Sequence, residues 1–232
     1  ISSFEMATRG NGADFGDISS SRQRLGGHSS TTRGVFAGGQ SGSAPNYDEH
    51  DTIEYVTIAS AGNVTDFGNL TVSRWFVAPG GSSTRGVFGS GVSNPAGNHN
   101  TIDYITVAST GDATDFGDLL AASGYTAGCS SSVRQVFGGV YTPSAVNVLR
   151  YVTIASTGNA TDFGDLLDTT AYATGTSNSV RGIIAGDLNP GETDVIQFIT
   201  IASTGNSADF GDLLEAGHSH GSTSDSHGGL QG

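Results

Sequence analysis

The sequence predicts an all-β fold, a β-propeller of five blades with four antiparallel strands in each, and three observations predict it. Asp-Phe-Gly recurs at Asp14, Asp66, Asp115, Asp162 and Asp209, at intervals of 47 to 52 residues, and such a period marks a propeller, solenoid or array. A second segment recurs in step with it: Arg33-Gly-Val-Phe-Ala-Gly-Gly39, Arg85-Gly-Val-Phe-Gly-Ser-Gly91, Arg134-Gln-Val-Phe-Gly-Gly139, Arg181-Gly-Ile-Ile-Ala-Gly186, and a weak copy, His227-Gly-Gly-Leu-Gln-Gly232. Finally, the chain opens on one half of a repeat and ends on the other, because 1–18 aligns without gaps on 53–70. Joining 1–18 with 214–232 makes the fifth blade, closes the ring and hides the strand edges that an open array would expose. All 232 residues then belong to a single domain.

Each repeat reads as four strands, in the second repeat 72–78, 85–89, 101–108 and 113–119. Copies of the first strand include Ala127-Gly-Cys129, Ala173-Thr-Gly175, Gly26-Gly27 and Gly221-Ser222. Small side chains are what five innermost strands around one axis require, and they predict a narrow channel. The second strand carries the Arg-Gly-Val-Phe segment. The third is apolar on both alternating faces, with Ile53, Tyr55 and Ala59 on one side and Val56 and Ile58 on the other. A sheet with one wet face would alternate apolar with polar residues, whereas a blade wedged between two neighbours needs both faces apolar. The one polar column, Glu54, Asp103, Arg150 and Gln197, reads as the exposed end of that strand. Gly-Asn or Gly-Asp then supplies the positive φ of a tight hairpin into the fourth strand. There Phe15, Phe67, Phe116, Phe163 and Phe210 are read as structural, filling the space between blades while the following Gly lets the strand kink.

Half of each repeat is constant in length. From the Asp of Asp-Phe-Gly to the next Arg is 19 residues in four copies, and 18 to His227 in the last. From that Arg to the following Asp the distance runs 33, 30, 28 and 28. The variation lies between the second and third strands, at 40–51, 92–100, 140–147 and 187–194. In a propeller these loops share a rim with the blade-to-blade crossings.

Composition excludes several partners. Twenty-two acidic residues face nine basic ones, giving a net charge of −13, against a nucleic-acid partner that would need a basic face and against an anionic membrane surface. All nine basic residues are Arg. The single cysteine, Cys129, rules out an internal disulfide framework and a Cys-based zinc site. No apolar run approaches the ~20 residues of a membrane span, so membrane insertion is not expected, and there is no signal-peptide pattern. Ile1 opens in mid-repeat, as in a processed chain or a piece of a longer protein. Both termini then fall in the fifth blade's second-to-third-strand loop, where such a protein would be joined.

No catalytic constellation emerges. Asp-Phe-Gly matches the kinase metal-binding motif, but the other kinase signatures, including any Lys, are missing. His218-Ser-His220, with His227 nearby, would set two imidazoles on one strand face as a metal site does; the plainer reading is a degenerate inner strand with exposed histidines. Asp48-Glu-His-Asp51 would cluster oxygens for Ca²⁺ but lacks the spaced-ligand pattern. A Gly-x-Ser-x-Gly elbow has no place in an all-β chain. Paired carboxylates for glycoside cleavage are available in Asp66, Asp115 and their equivalents, yet a catalytic pair needs two different environments and repeats supply identical ones. Catalytic residues, metal ligands and cofactors are therefore assigned as none. The variable rim is where specificity on a rigid scaffold usually lies. Trp75 sits at a crossing, and Tyr47, Asp48, His99, Tyr141 and Asn189 in the variable loops. Aromatics with amide and carboxylate neighbours suit sugar recognition, although Trp75 would serve equally in packing between blades.

The repeat resembles the kelch family of β-propellers. Gly38-Gly39 and Gly138-Gly139 follow the second strand, Tyr55, Tyr104 and Tyr151 stand in the third, and Leu70 to Arg74 makes the apolar-x-x-x-Arg step into the next blade. It departs in placing Phe67, Phe116, Phe163 and Phe210 where kelch repeats usually have Trp. The segment 153–166 (TIASTGNATDFGDL), with the Arg-Gly-Val-Phe strand, is similar to repeats of virion and tail-associated proteins of marine bacteriophages, especially those of cyanobacteria. That resemblance implies a virion-associated, non-enzymatic binding module whose variable rim recognises a host surface glycan or another virion protein. The alternatives are a purely structural virion component and, further off, a glycan-cleaving enzyme.

Overall fold

The computed structural model describes residues 1–4, 9–43, 46–142, 144–188 and 191–224, and among them every regular element is a β-strand. The strands form a β-propeller with four complete blade-type sheets. From the axis outward, the first holds Gly26–Ser29, Arg33–Ala37, Thr52–Thr57 and Thr65–Asn69. The second holds Ala78–Gly81, Arg85–Gly89, Gly97–Thr106 and Thr114–Ser123. The third holds Ala127–Ser130, Arg134–Gly138, Ala145–Thr153 and Thr161–Thr170. The fourth holds Thr174–Ser177, Arg181–Asp187, Thr193–Thr200 and Ala208–Gly217.

The expected fifth sheet is not among them. Ser2–Ser3 pairs with Ala13–Asp14 as a separate short hairpin, which bonds to the first blade through Gly62 N–H to Phe15 O (2.6 Å) and Val64 N–H to Asp17 O (3.0 Å). At the other end, Ser222 Oγ donates to Gly175 O in the fourth blade's innermost strand (2.8 Å). The last copy of the second strand, at His227, lies outside the described residues.

The repeated motif is the joint between blades. In each complete sheet the Phe of Asp-Phe-Gly is the extra residue of a β-bulge: Ile102 pairs with Gly117 and Asp103 with Asp115, leaving Phe116 unopposed. A bulge re-aims the side chain it carries, and Phe116 goes into the seam with the third blade among Phe137, Val152, Ile154 and Ala160. Phe67 and Phe163 do the same at the first-to-second and third-to-fourth seams. The following Gly has φ near +140°, and the next blade's hairpin turn lies against it, donating from Gly158 N–H to Phe116 O (2.7 Å) and from Ala160 N–H to Asp118 O (2.8 Å). Asn159 Oδ1 returns the bond by accepting from Asp118 N–H (3.0 Å). The turn Gly-Asn and the strand Asp-Phe-Gly are thus two halves of one inter-blade joint. On the same rim, Arg33, Arg85 and Arg134 lie over Tyr55, Tyr104 and Tyr151 and donate to the carbonyls of Val107, Ile154 and Ile201 one blade on.

Where no complete blade lies on both sides among the described residues, the same residues are less buried. Phe67, Phe116 and Phe163 are each 2% exposed, but Phe210 of the fourth blade is 53% exposed and Phe15 half-buried, so the space-filling role expected for all five holds for three. Ile58, facing the short hairpin, is likewise exposed, although its counterparts Val107, Ile154 and Ile201 are buried.

Three further expectations are corrected. The innermost strand of the second blade is Ala78–Gly81, not 72–78; the chain before it is a crossing, bridged to the variable segment at Trp75 and Val92. The third and fourth strands run Gly97–Thr106 and Thr114–Ser123, offset from 101–108 and 113–119 because the variable segment and the crossing extend the ladder. The polar column Glu54, Asp103, Arg150 and Gln197 is buried rather than exposed, since each side chain has a partner. Glu54 pairs with Arg22, Asp103 with Arg74 (2.9 Å), Arg150 with Ser123 Oγ (2.6 Å), and Gln197 with Ser207 Oγ (2.7 Å).

Candidate functional site at the channel mouth

The variable segments and the crossings occupy one rim, because backbone bridges join them: Gln23 with Gln40, Trp75 with Val92, and Gly124 with Tyr141. Two variable segments are themselves ordered. Gln40–Ser43 pairs with Asn46–Glu49 as a ribbon, and Val140–Tyr141 folds back on Ala145–Thr153. Beneath this rim the axis is a cavity of about 760 Å³, lined by 24–29, 76–80, 125–130, 172–177 and 218–224. The small residues expected for a narrow channel are there, among them Gly27, Gly80, Gly128, Gly175 and Cys129. Burial pushes the Cys129 thiol up to about 12, so this sulfur is an inert packing group, not a nucleophile.

At the mouth, one residue near the start of each lining segment stands at the same place in its repeat, ten residues beyond the Asp of Asp-Phe-Gly: Arg24, Phe76, Tyr125, Tyr172 and Ser219. Arg24, Phe76, Tyr125 and Tyr172 have φ of 63°, 53°, 56° and 62°, and Ser219 has 56°. Side chains other than Gly occupy this region at a cost of about 1–3 kcal/mol each. Backbone bonds link neighbours around the axis, from Phe76 N–H to Arg24 O (3.0 Å), Tyr172 N–H to Tyr125 O (3.2 Å) and Ser219 N–H to Tyr172 O (2.8 Å).

The left-handed backbone turns these side chains into one aromatic group. Phe76 lies 4.7 Å from Tyr125, centroid to centroid, and Tyr125 stacks on Tyr172 at 4.1 Å. Trp75 and Tyr141 flank Tyr125 at 5.7 and 5.8 Å, and the Arg24 guanidinium covers Trp75 and Phe76 at 4.8 and 5.0 Å. Burial, together with the hydrogen bond to Tyr125, pushes the Tyr172 phenol up to about 12, so it is a neutral hydrogen-bonding group at physiological pH. The rings are half-exposed. The mouth therefore offers flat apolar faces beside phenol hydroxyls and a guanidinium.

Of the residues expected to form the site, Trp75 and Tyr141 join this group. Tyr47 is half-buried and Asp48 exposed on the ribbon. His99 bonds to Ser93 Oγ (2.6 Å) within the second blade's variable segment, and Asn189 lies outside the described residues. Four contributors were missed by sequence reasoning: Arg24, Phe76, Tyr125 and Tyr172. Their common offset from Asp-Phe-Gly is the signal that would have found them. His218 faces Glu192 at 3.5 Å and His220 packs over Gly217. Among the described residues no three His, Cys, Asp or Glu side chains come together as a metal site. The repeated Asp14, Asp66, Asp115, Asp162 and Asp209 are exposed, one per repeat. No protein-family model matches the chain, and no curated protein does.

Proposed function

We propose that the chain closes into a five-bladed, kelch-like ring and works as a non-enzymatic binding module of a phage particle, taking a host surface saccharide at the aromatic mouth of its channel. One observation carries the binding reading: Phe76, Tyr125 and Tyr172 are held half-exposed at positive φ around a single cavity. Glycine at those positions would relieve the strain, so a functional demand for rings explains their presence better than folding does. Aromatic faces beside convergent hydroxyls are the chemistry that holds a sugar ring, apolar on its C–H face and polar at its edge. The phage setting is supported by the resemblance of the repeats.

Closure is supported by the joint between blades. Gly211 has the same φ as Gly68, Gly117 and Gly164, and Gly10-Asn11 repeats the turn that meets those glycines elsewhere. Phe4 and Phe210, 67% and 53% exposed, are the apolar residues that such a joint would cover.

Binding is tested on a glycan array with the wild-type chain and a Tyr125→Ala/Tyr172→Ala variant of matched thermal stability. Saccharide retention by the wild type, lost in the variant and without release of shorter sugars, is expected. Equal retention by both would remove the mouth as the site. Sugar release would make the protein an enzyme, and capture by virion proteins without any saccharide would make its role structural.

A further inference from the structure

Among the described residues, the channel of this acidic molecule is lined without an acidic side chain. Of its 232 residues, 22 are Asp or Glu, yet none of the 28 residues lining the cavity is either. The ionisable groups that do line it include Arg24, His28, His218 and His220, three of them drawn from only six histidines in the chain, while burial keeps the Cys129 thiol and the Tyr172 phenol neutral. Hydroxyls also line it, and those of Thr126, Thr174 and Ser222 already donate within the protein, to Gly124 O, Ser222 Oγ and Gly175 O. Arg24 stands at the mouth, exposed. Among the described residues no carboxylate forms an ion pair with it, whereas Arg22 and Arg74 are paired with Glu54 and Asp103.

We infer that the saccharide taken at the mouth is an acidic one, bearing a carboxylate or sulfate that Arg24 meets while a sugar ring lies on Tyr125 and Tyr172. This rests on the saccharide reading above and adds the charge of the ligand to it. A guanidinium lying over aromatic faces keeps its in-plane N–H donors for a planar anion, and such charge-assisted pairs are stronger than neutral ones. The repulsion from the net charge of −13 does not decide the matter at physiological salt, where the Debye length is only ~8 Å. Inside the mouth the nearest charge is Arg24, and partial exclusion of water strengthens its interactions. A lining without Asp or Glu among the described residues, with Glu192 set against His218 at 3.5 Å, spares an anion much of the like-charge repulsion it would meet elsewhere on the surface.

Calorimetric titration of the full chain at 150 mM salt (a concentration near physiological, matching that screening length) uses two matched pairs of probes. Oligogalacturonate is compared with its methyl ester, and dextran sulfate with dextran, so that each pair keeps the same sugar backbone and differs in whether it carries the anionic group. At least one anionic probe is expected to bind about tenfold or more tightly than its neutral partner. Arg24→Gln should abolish that preference, and Arg24→Lys should retain part of it. Circular dichroism verifies that each variant is folded, and Lys and Gln share the same backbone strain, so their difference isolates charge. Neutral probes binding as tightly as anionic ones, or an unchanged preference in folded Arg24→Gln, would overturn the inference while leaving the saccharide reading standing. Binding of none of the four probes would overturn both.

Discussion

A Cβ placed on Gly117 would stand 2.6 Å from the carbonyl oxygen of Gly158, across the seam between the second and third blades. No side chain fits there, and φ of +141° is itself unfavourable for any L-residue. Gly117→Ala is therefore expected to lose about 2–5 kcal/mol, the sum of backbone strain and overpacking, read from urea unfolding. Gly211 is the informative companion. It has a φ of +138° but, among the described residues, nothing within 4 Å of its Cβ position. If the ring closes as proposed, Gly211→Ala costs as much as Gly117→Ala. If the fourth blade stays uncovered, it costs only the strain, about 1–3 kcal/mol.

That seam also marks how far a linear reading reaches. Repetition announced the blades, and the second strand was legible to the residue at Arg85–Gly89, because its residues face neighbours that every copy supplies. That the Phe of Asp-Phe-Gly fills the space between blades was legible too, and holds for Phe67, Phe116 and Phe163; its hydrogen-bonded joint was not, since the partner is a turn in the following repeat, some 40 residues away. The innermost strand was misplaced because Phe76 takes a left-handed backbone that nothing in the residue type announces. Asp103 was read as exposed because its cation, Arg74, comes from the crossing and not from an adjacent strand position. At the site, Trp75 was found as an aromatic at a crossing and Tyr141 as one in a variable segment. Tyr125 and Tyr172 were passed over because they sit in the constant half of the repeat, where a packing role is the first explanation.

The Arg74–Asp103 pair is completely buried, at 2.9 Å with neither side chain exposed. Asp103 also accepts from Thr71 Oγ1 (2.6 Å), and Arg74 also donates to Phe88 O (3.2 Å). Burial pulls the guanidinium pKa down, and Asp103 opposes that by holding the charged form. Arg74→Met leaves a buried carboxylate without its cation and is expected to cost about 3–5 kcal/mol. The third blade contains a ready alternative at the same two positions, Ser123 with Arg150. The double variant Arg74→Ser/Asp103→Arg copies it and should recover a large part of the loss in urea unfolding. A double variant no better than Arg74→Met would mean that the two blades do not tolerate the same exchange.

His99 gives the propeller a dependence on acid. Its Nε2 lies 2.6 Å from Ser93 Oγ; burial, and then the nearby Arg74 cation, lower its pKa below the ordinary 6.5, with Glu49 pulling the other way. In the unfolded chain the imidazole regains its ordinary pKa and takes up a proton first as the pH falls. Below about 6.5 the unfolded state therefore binds more protons than the folded one, and stability declines with acid until the folded imidazole is protonated too. Above 6.5 both states are neutral and the contribution is flat. Solvent screening keeps the effect small for a partly exposed group, about 1–3 °C in Tm. His99→Gln keeps a polar partner for Ser93 but cannot titrate. Between pH 7 and pH 5 the wild-type Tm should fall more than that of His99→Gln by this margin. Parallel curves for the two proteins would show that His99 takes up its proton equally in the folded and unfolded states, and the acid sensitivity would then belong to other groups.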